Sequence, residues 1–95
     1  MKPRNIELPA TVCHALDELS RQTEPGRTAL DILDRGWRGS GPANVPIFNQ
    51  AEAKQLAAAL TEVSRGKASK RTRSSAESLA WSLRHPEEEA DHVRR

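Results

Sequence analysis

The sequence predicts a mainly α-helical fold with one short N-terminal β-strand. Three observations carry that expectation. Arg4–Leu8 alternates with period two, Ile6 and Leu8 on one side and Asn5 and Glu7 on the other. Beyond Pro9 the apolar residues recur at spacings of three and four, the signature of an amphipathic helix. Clusters of Pro, Gly and capping residues cut the rest into short elements.

Each element follows in order. Pro9 lacks an N–H, so it suits a strand end or the first turn of a helix. Val12, Leu16 and Leu19 then form one stripe with Ala15 beside it, predicting a helix from about Ala10 to Gln22. Glu24-Pro25-Gly26 reads as its stop. Thr28 and Asp31 resemble a capping box, so a second helix is expected from Thr28, with Leu30, Leu33 and Trp37 as its stripe. Gly39–Pro46 holds two Gly and two Pro in eight residues and reads as a linker.

Asn49 followed by Glu52 is a stronger capping signal. It opens an Ala-rich helix with Leu56, Leu60 and Val63 on one face, and Gly66 is expected as a left-handed cap. Lys67–Arg73 reads as a basic connector, and Ser74–Glu77 as the start of a helix carrying Leu79, Trp81 and Leu83. Pro86 ends that helix, and Glu87–Glu89 followed by Arg94 and Arg95 suits a last turn or two. No internal repeat is apparent.

With 95 residues and only Phe48, Trp37 and Trp81 as aromatic residues, a lone chain would bury a thin core. Oligomerisation is the usual remedy. Cys13 is the single cysteine, which excludes an intrachain disulfide and fits a reducing compartment. The start of the chain has no apolar run of signal-peptide type, and no segment has the roughly 18 apolar residues of a membrane span. These readings predict a cytoplasmic protein without membrane contact.

The formal net charge is +2, and its distribution is uneven. Residues 1–48 balance six Lys/Arg against six Asp/Glu, whereas Arg65, Lys67, Lys70, Arg71 and Arg73 stand together with no acid among them.

The order strand, helix, helix within residues 3–37, with Leu8-Pro9 just ahead of the first helix, resembles the ribbon-helix-helix family of small dimeric DNA binders. The resemblance implies that two chains pair their N-terminal strands into an antiparallel ribbon that enters the major groove. It implies a ribbon-helix-helix dimer over residues 3–38, a linker over 39–48 and a helical C-terminal segment over 49–95. Pro3, Asn5 and Glu7 would face DNA. Ile6, Leu8, Val12, Leu16, Leu19, Leu30, Leu33 and Trp37 would form the dimer core. The amides of Gly26, Arg27 and Thr28 would meet a phosphate at the second helix's N-terminus. The implied function is that of a transcriptional regulator of repressor or antitoxin type, acting as a homodimer on double-stranded DNA.

Other readings stand beside that one. Glu7 and the neutral first half favour a helical interaction module or inhibitor that holds a protein partner, without DNA, through residues 49–85. Its contact surface would be Leu56, Leu60, Val63, Leu79, Trp81 and Leu83. A third places nucleic-acid contact on Arg65, Lys67, Lys70, Arg71 and Arg73, whose charges would make binding salt-dependent; the plain alternative is a solvated connector.

No metal, cofactor or catalytic set is expected. Cys13 and His14 are adjacent and point about 100° apart on a helix. His85 and His92 flank Pro86, and no Gly-rich phosphate loop or Ser/His/Asp set occurs.

Overall fold

A computed structural model describes residues 4–85. Pro3, His92 and the acidic and basic runs after Pro86 lie outside them. The fold is mainly helical, as expected: strand β1 (Arg4–Leu8), helices α1 (Ala10–Ser20) and α2 (Glu24–Leu33), strand β2 (Ala43–Ile47), and helices α3 (Gln50–Arg65) and α4 (Lys70–Arg84).

The expected linker is thus half strand. Ala43, Val45 and Ile47 alternate with Asn44 and Pro46, so residues 43–47 carry the same period-two pattern as β1. Pro46 obscures the pattern, yet it is compatible with an edge strand, where a missing N–H removes no ladder bond. Gly39 and Gly41, at φ +94° and +73°, supply the left-handed backbone of the loop before it.

β1 and β2 pair antiparallel, with Arg4 opposite Ile47, Asn5 opposite Pro46, Ile6 opposite Val45, Glu7 opposite Asn44 and Leu8 opposite Ala43. The ribbon expected between two chains is formed here by one. Ile6 and Leu8, expected at a dimer interface, are buried in their own chain against the inward side of β2.

Strand–helix–helix therefore occurs twice in succession. Exchanging the halves carries Arg4 to Ala43, Asn5 to Asn44, Ile6 to Val45, Glu7 to Pro46 and Leu8 to Ile47, and it maps the strand pairing onto itself. The register has an approximate two-fold axis through the Ile6–Val45 pair. The repeat is one of architecture. It is not apparent in the sequence because the helices differ in length and composition: 16 residues, Ala-rich, and 15 residues in the second half, against 11 and 10 in the first.

The two halves share one core. α1 packs on α2 and α3 on α4 as hairpins, while α3 also contacts α1 and α2, and α4 contacts α1. Leu8, Val12, Leu16, Leu33, Val45, Leu56, Leu60 and Leu83 are fully buried in a single cluster, with Leu19, Leu30 and Trp37 partly buried against it. Leu56, Leu60, Val63 and Leu83, expected as a partner surface, are core, because the helices of the first half cover them. Burial of that extent stabilises each large side chain by about 1.5–3 kcal/mol.

Local signals set the helix ends. The Asn49 side chain accepts from the Glu52 amide at 2.9 Å, and Glu52 reaches back to accept from the Phe48 amide at 2.9 Å. Arg35 meets the same carboxylate in a bidentate pair, Nη1 donating to Oε1 at 2.8 Å, and so clasps the end of α2 to the start of α3. Gly66 caps α3 at φ −89°, not in the left-handed conformation expected of it. Gly36 lets the chain after α2 pass against β2: a Cβ there would sit 2.0 Å from the Asn44 carbonyl oxygen.

Candidate nucleic-acid interface

The period-two pattern fixes what the ribbon shows to solvent. Its inward residues Ile6, Leu8, Ala43, Val45 and Ile47 are all buried. Its outward residues are Asn5, Glu7 and Asn44, all exposed, and the half-buried Pro46. No side-chain hydrogen bond or ion pair within the described residues engages Asn5, Glu7 or Asn44. Among the described residues, these two amides and this carboxylate have no such partner. Its Gly/Pro-rich surroundings make Asn44 look like part of a linker; the signal that reveals it is the alternation of Ala43, Val45 and Ile47.

The second helix does not offer the phosphate site expected of it. α2 begins at Glu24, four residues earlier than expected, with Thr23 as its N-cap. The Gly26 amide donates to Thr23 Oγ1 at 3.1 Å and the Arg27 amide to the Thr23 carbonyl at 3.2 Å. Thr28 lies inside the helix, so the amides of Gly26, Arg27 and Thr28 are not a free cluster. Pro25 fits the first turn because no N–H is needed there. Gly26 fits because α2 starts against the end of α1, where a Cβ would sit 2.5 Å from the Leu19 carbonyl carbon. The Arg27 side chain remains exposed.

The basic run is a connector only in part. Lys70, Arg71 and Arg73 form the first turn of α4, behind an N-cap in which Ser69 Oγ accepts from the Thr72 amide at 3.3 Å. Arg65 closes α3, and Lys67 sits in the turn between the helices. All five cations are exposed. The first turn of α4 contains no acid, so its three cations oppose the positive end of the helix dipole. Each such charge costs about 0.3–1 kcal/mol, and a bound anion relieves that cost. Ser74, Ser75 and Ser78 of the same helix line a shallow hollow together with Glu7 and Pro9 at the end of β1. The basic turn runs directly into Ser74, its far end at Lys70 about 6 Å away along the helix axis.

The remaining sequence candidates are structural. Cys13 is fully buried, its thiol facing the Leu8 carbonyl at 3.7 Å, and burial pushes its pKa up. His14 stands edge-on to Trp37 at 5.2 Å, and the Trp37 indole donates to the Gly41 carbonyl at 3.1 Å. No group of three His, Cys, Asp or Glu able to hold a metal occurs among the described residues. No helix among them is long and apolar enough to cross a membrane. Among the described residues two large apolar side chains are exposed, Phe48 at 51% and Trp81 at 47%. Phe48 lies under the Arg35 guanidinium and Trp81 beside His85.

Compared with protein families, curated proteins and solved structures, the chain finds no match in any of the three.

Proposed function

We propose that this chain binds double-stranded DNA by laying its own two-stranded ribbon in the major groove. The observation that carries the reading is the ribbon itself: Ile6, Leu8, Ala43, Val45 and Ile47 are buried inward, and Asn5, Glu7 and Asn44 are exposed outward with no side-chain partner among the described residues. A two-stranded ribbon fits a groove about 12 Å wide. Asn and Glu both have hydrogen-bonding groups that match base edges.

The basic turn of α4 supports the same reading. Lys70, Arg71 and Arg73 supply phosphate contacts that position the ribbon without reading sequence. A protein of this kind acts in the cytoplasm as a transcriptional regulator, of the repressor or antitoxin type that the resemblance implies. The second reading, a protein-binding module, rests on the exposed Phe48 and Trp81.

Fluorescence anisotropy on labelled duplexes at several salt concentrations tests the proposal. Log affinity should fall linearly with log salt, and Arg71→Ala with Arg73→Ala should flatten the slope by about 1.8, or about 0.9 per phosphate contact. Binding that is absent, or indifferent to salt and to both substitutions, would refute it.

A further inference from the structure

We infer that the DNA site of this protein is non-palindromic and is filled by one chain, with Asn5 and Asn44 each reading an adenine on opposite strands and Glu7 adding a cytosine preference on one side only. The inference rests on the proposed DNA binding and specifies the substrate of that same surface.

The ribbon's register leads to it. The approximate two-fold through Ile6 and Val45 exchanges Asn5 with Asn44. Two dyad-related Asn side chains on one exposed face meet dyad-related bases, one on each DNA strand. Asn is suited to bidentate bonding with adenine N6 and N7. The same exchange carries Glu7 to Pro46. Glu accepts from cytosine N4, whereas a Pro side chain has no donor or acceptor. The flanks of the site are therefore read differently on the two sides.

The phosphate anchors are also unequal. The first turn of α4 carries Lys70, Arg71 and Arg73, while the corresponding turn of α2 carries Glu24, Pro25, Gly26 and Arg27. A palindromic operator mirrors an exact two-fold in the protein. Here the two-fold holds for the backbone register and fails for the side chains outside the Asn pair. Because both strands come from one chain, a second copy is not needed to complete the reading surface.

Selection of the full chain on a pool of random duplexes, followed by native mass spectrometry of the selected complex, tests this. The expected result is a non-palindromic site holding one chain per duplex. Asn5→Ala and Asn44→Ala should each lose the preference at one adenine, on opposite strands, by roughly 5- to 150-fold in relative affinity. Glu7→Ala should relax one flank only. All three side chains are exposed, so the variants should keep the helical circular dichroism of the parent. A palindromic site with two chains per duplex would overturn the inference and leave DNA binding intact, as would selected sites unchanged by both Asn substitutions. Absence of salt-dependent binding to any duplex would overturn the DNA-binding proposal itself.

Discussion

Val45→Ala tests whether the ribbon belongs to one chain. Val45 is 0% exposed, lies opposite Ile6 at the centre of the ribbon, and belongs to the core that both halves share. The substitution removes two methyl groups, about 1.6 kcal/mol of transfer free energy at 0.8 kcal/mol per carbon. A residual cavity brings the cost to about 2 kcal/mol or somewhat more. For a domain of this size each kcal/mol lowers Tm by about 4–8 °C, so Val45→Ala should melt roughly 8–16 °C below the parent. The assay is thermal unfolding by circular dichroism at about 1 and about 100 μM; a ribbon built between chains would lose about 2.7 kcal/mol over that hundredfold dilution. A ribbon built within one chain predicts the same Tm at both concentrations, for parent and variant alike. A Tm that rises with concentration, or a variant within about 3 °C of the parent, would refute the reasoning.

Further outcomes follow from single contacts. Gly36→Ala should destabilise by about 1–3 kcal/mol, because the new Cβ meets the Asn44 backbone and one strand must shift; an unchanged urea midpoint would contradict that. The Arg35 guanidinium, hydrogen-bonded to Glu52, and the Phe48 amide lower the Glu52 pKa from 4.5 to about 2. The folded state then binds fewer protons than the unfolded state, so the contribution of Glu52 is complete above about pH 5 and is lost as pH falls toward 2. Parent and Glu52→Gln should accordingly differ in Tm near neutrality and converge in acid; a gap constant down to pH 2 would exclude the pair as its source. Glu7→Ala should raise affinity for unselected duplexes by removing a charge that repels phosphate, and a drop in non-specific affinity would argue against an outward Glu7 near DNA.

Much of the first half was legible in the sequence because its signals are local. The alternation of Asn5, Ile6, Glu7 and Leu8 placed the right residues inward, and the Asn49–Glu52 pair placed the start of α3. The helix starts at Glu24 and Lys70 are not legible, because Pro25-Gly26 and the basic run look like interruptions. Both helices are opened by caps just upstream, Thr23 and Ser69. β2 was hidden by its Pro and by the glycines before it. Without β2, the partner of β1 had to come from a second chain, and the apolar faces of α3 and α4 had no cover. The outward Asn5 and Glu7 were legible from alternation alone, while Asn44 joins them only through strand pairing, which is not local in sequence.

Amide chemical shifts of the ¹⁵N-labelled full chain during titration with duplex DNA test the central claim most directly. Shifts are expected at Asn5, Glu7 and Asn44, including the side-chain amides of both Asn residues, and at Lys70–Arg73. The indole signal of Trp81 and the amide of Phe48 should stay in place. Shifts centred on Phe48 and Trp81 with a silent ribbon would contradict the account and favour a protein-binding module.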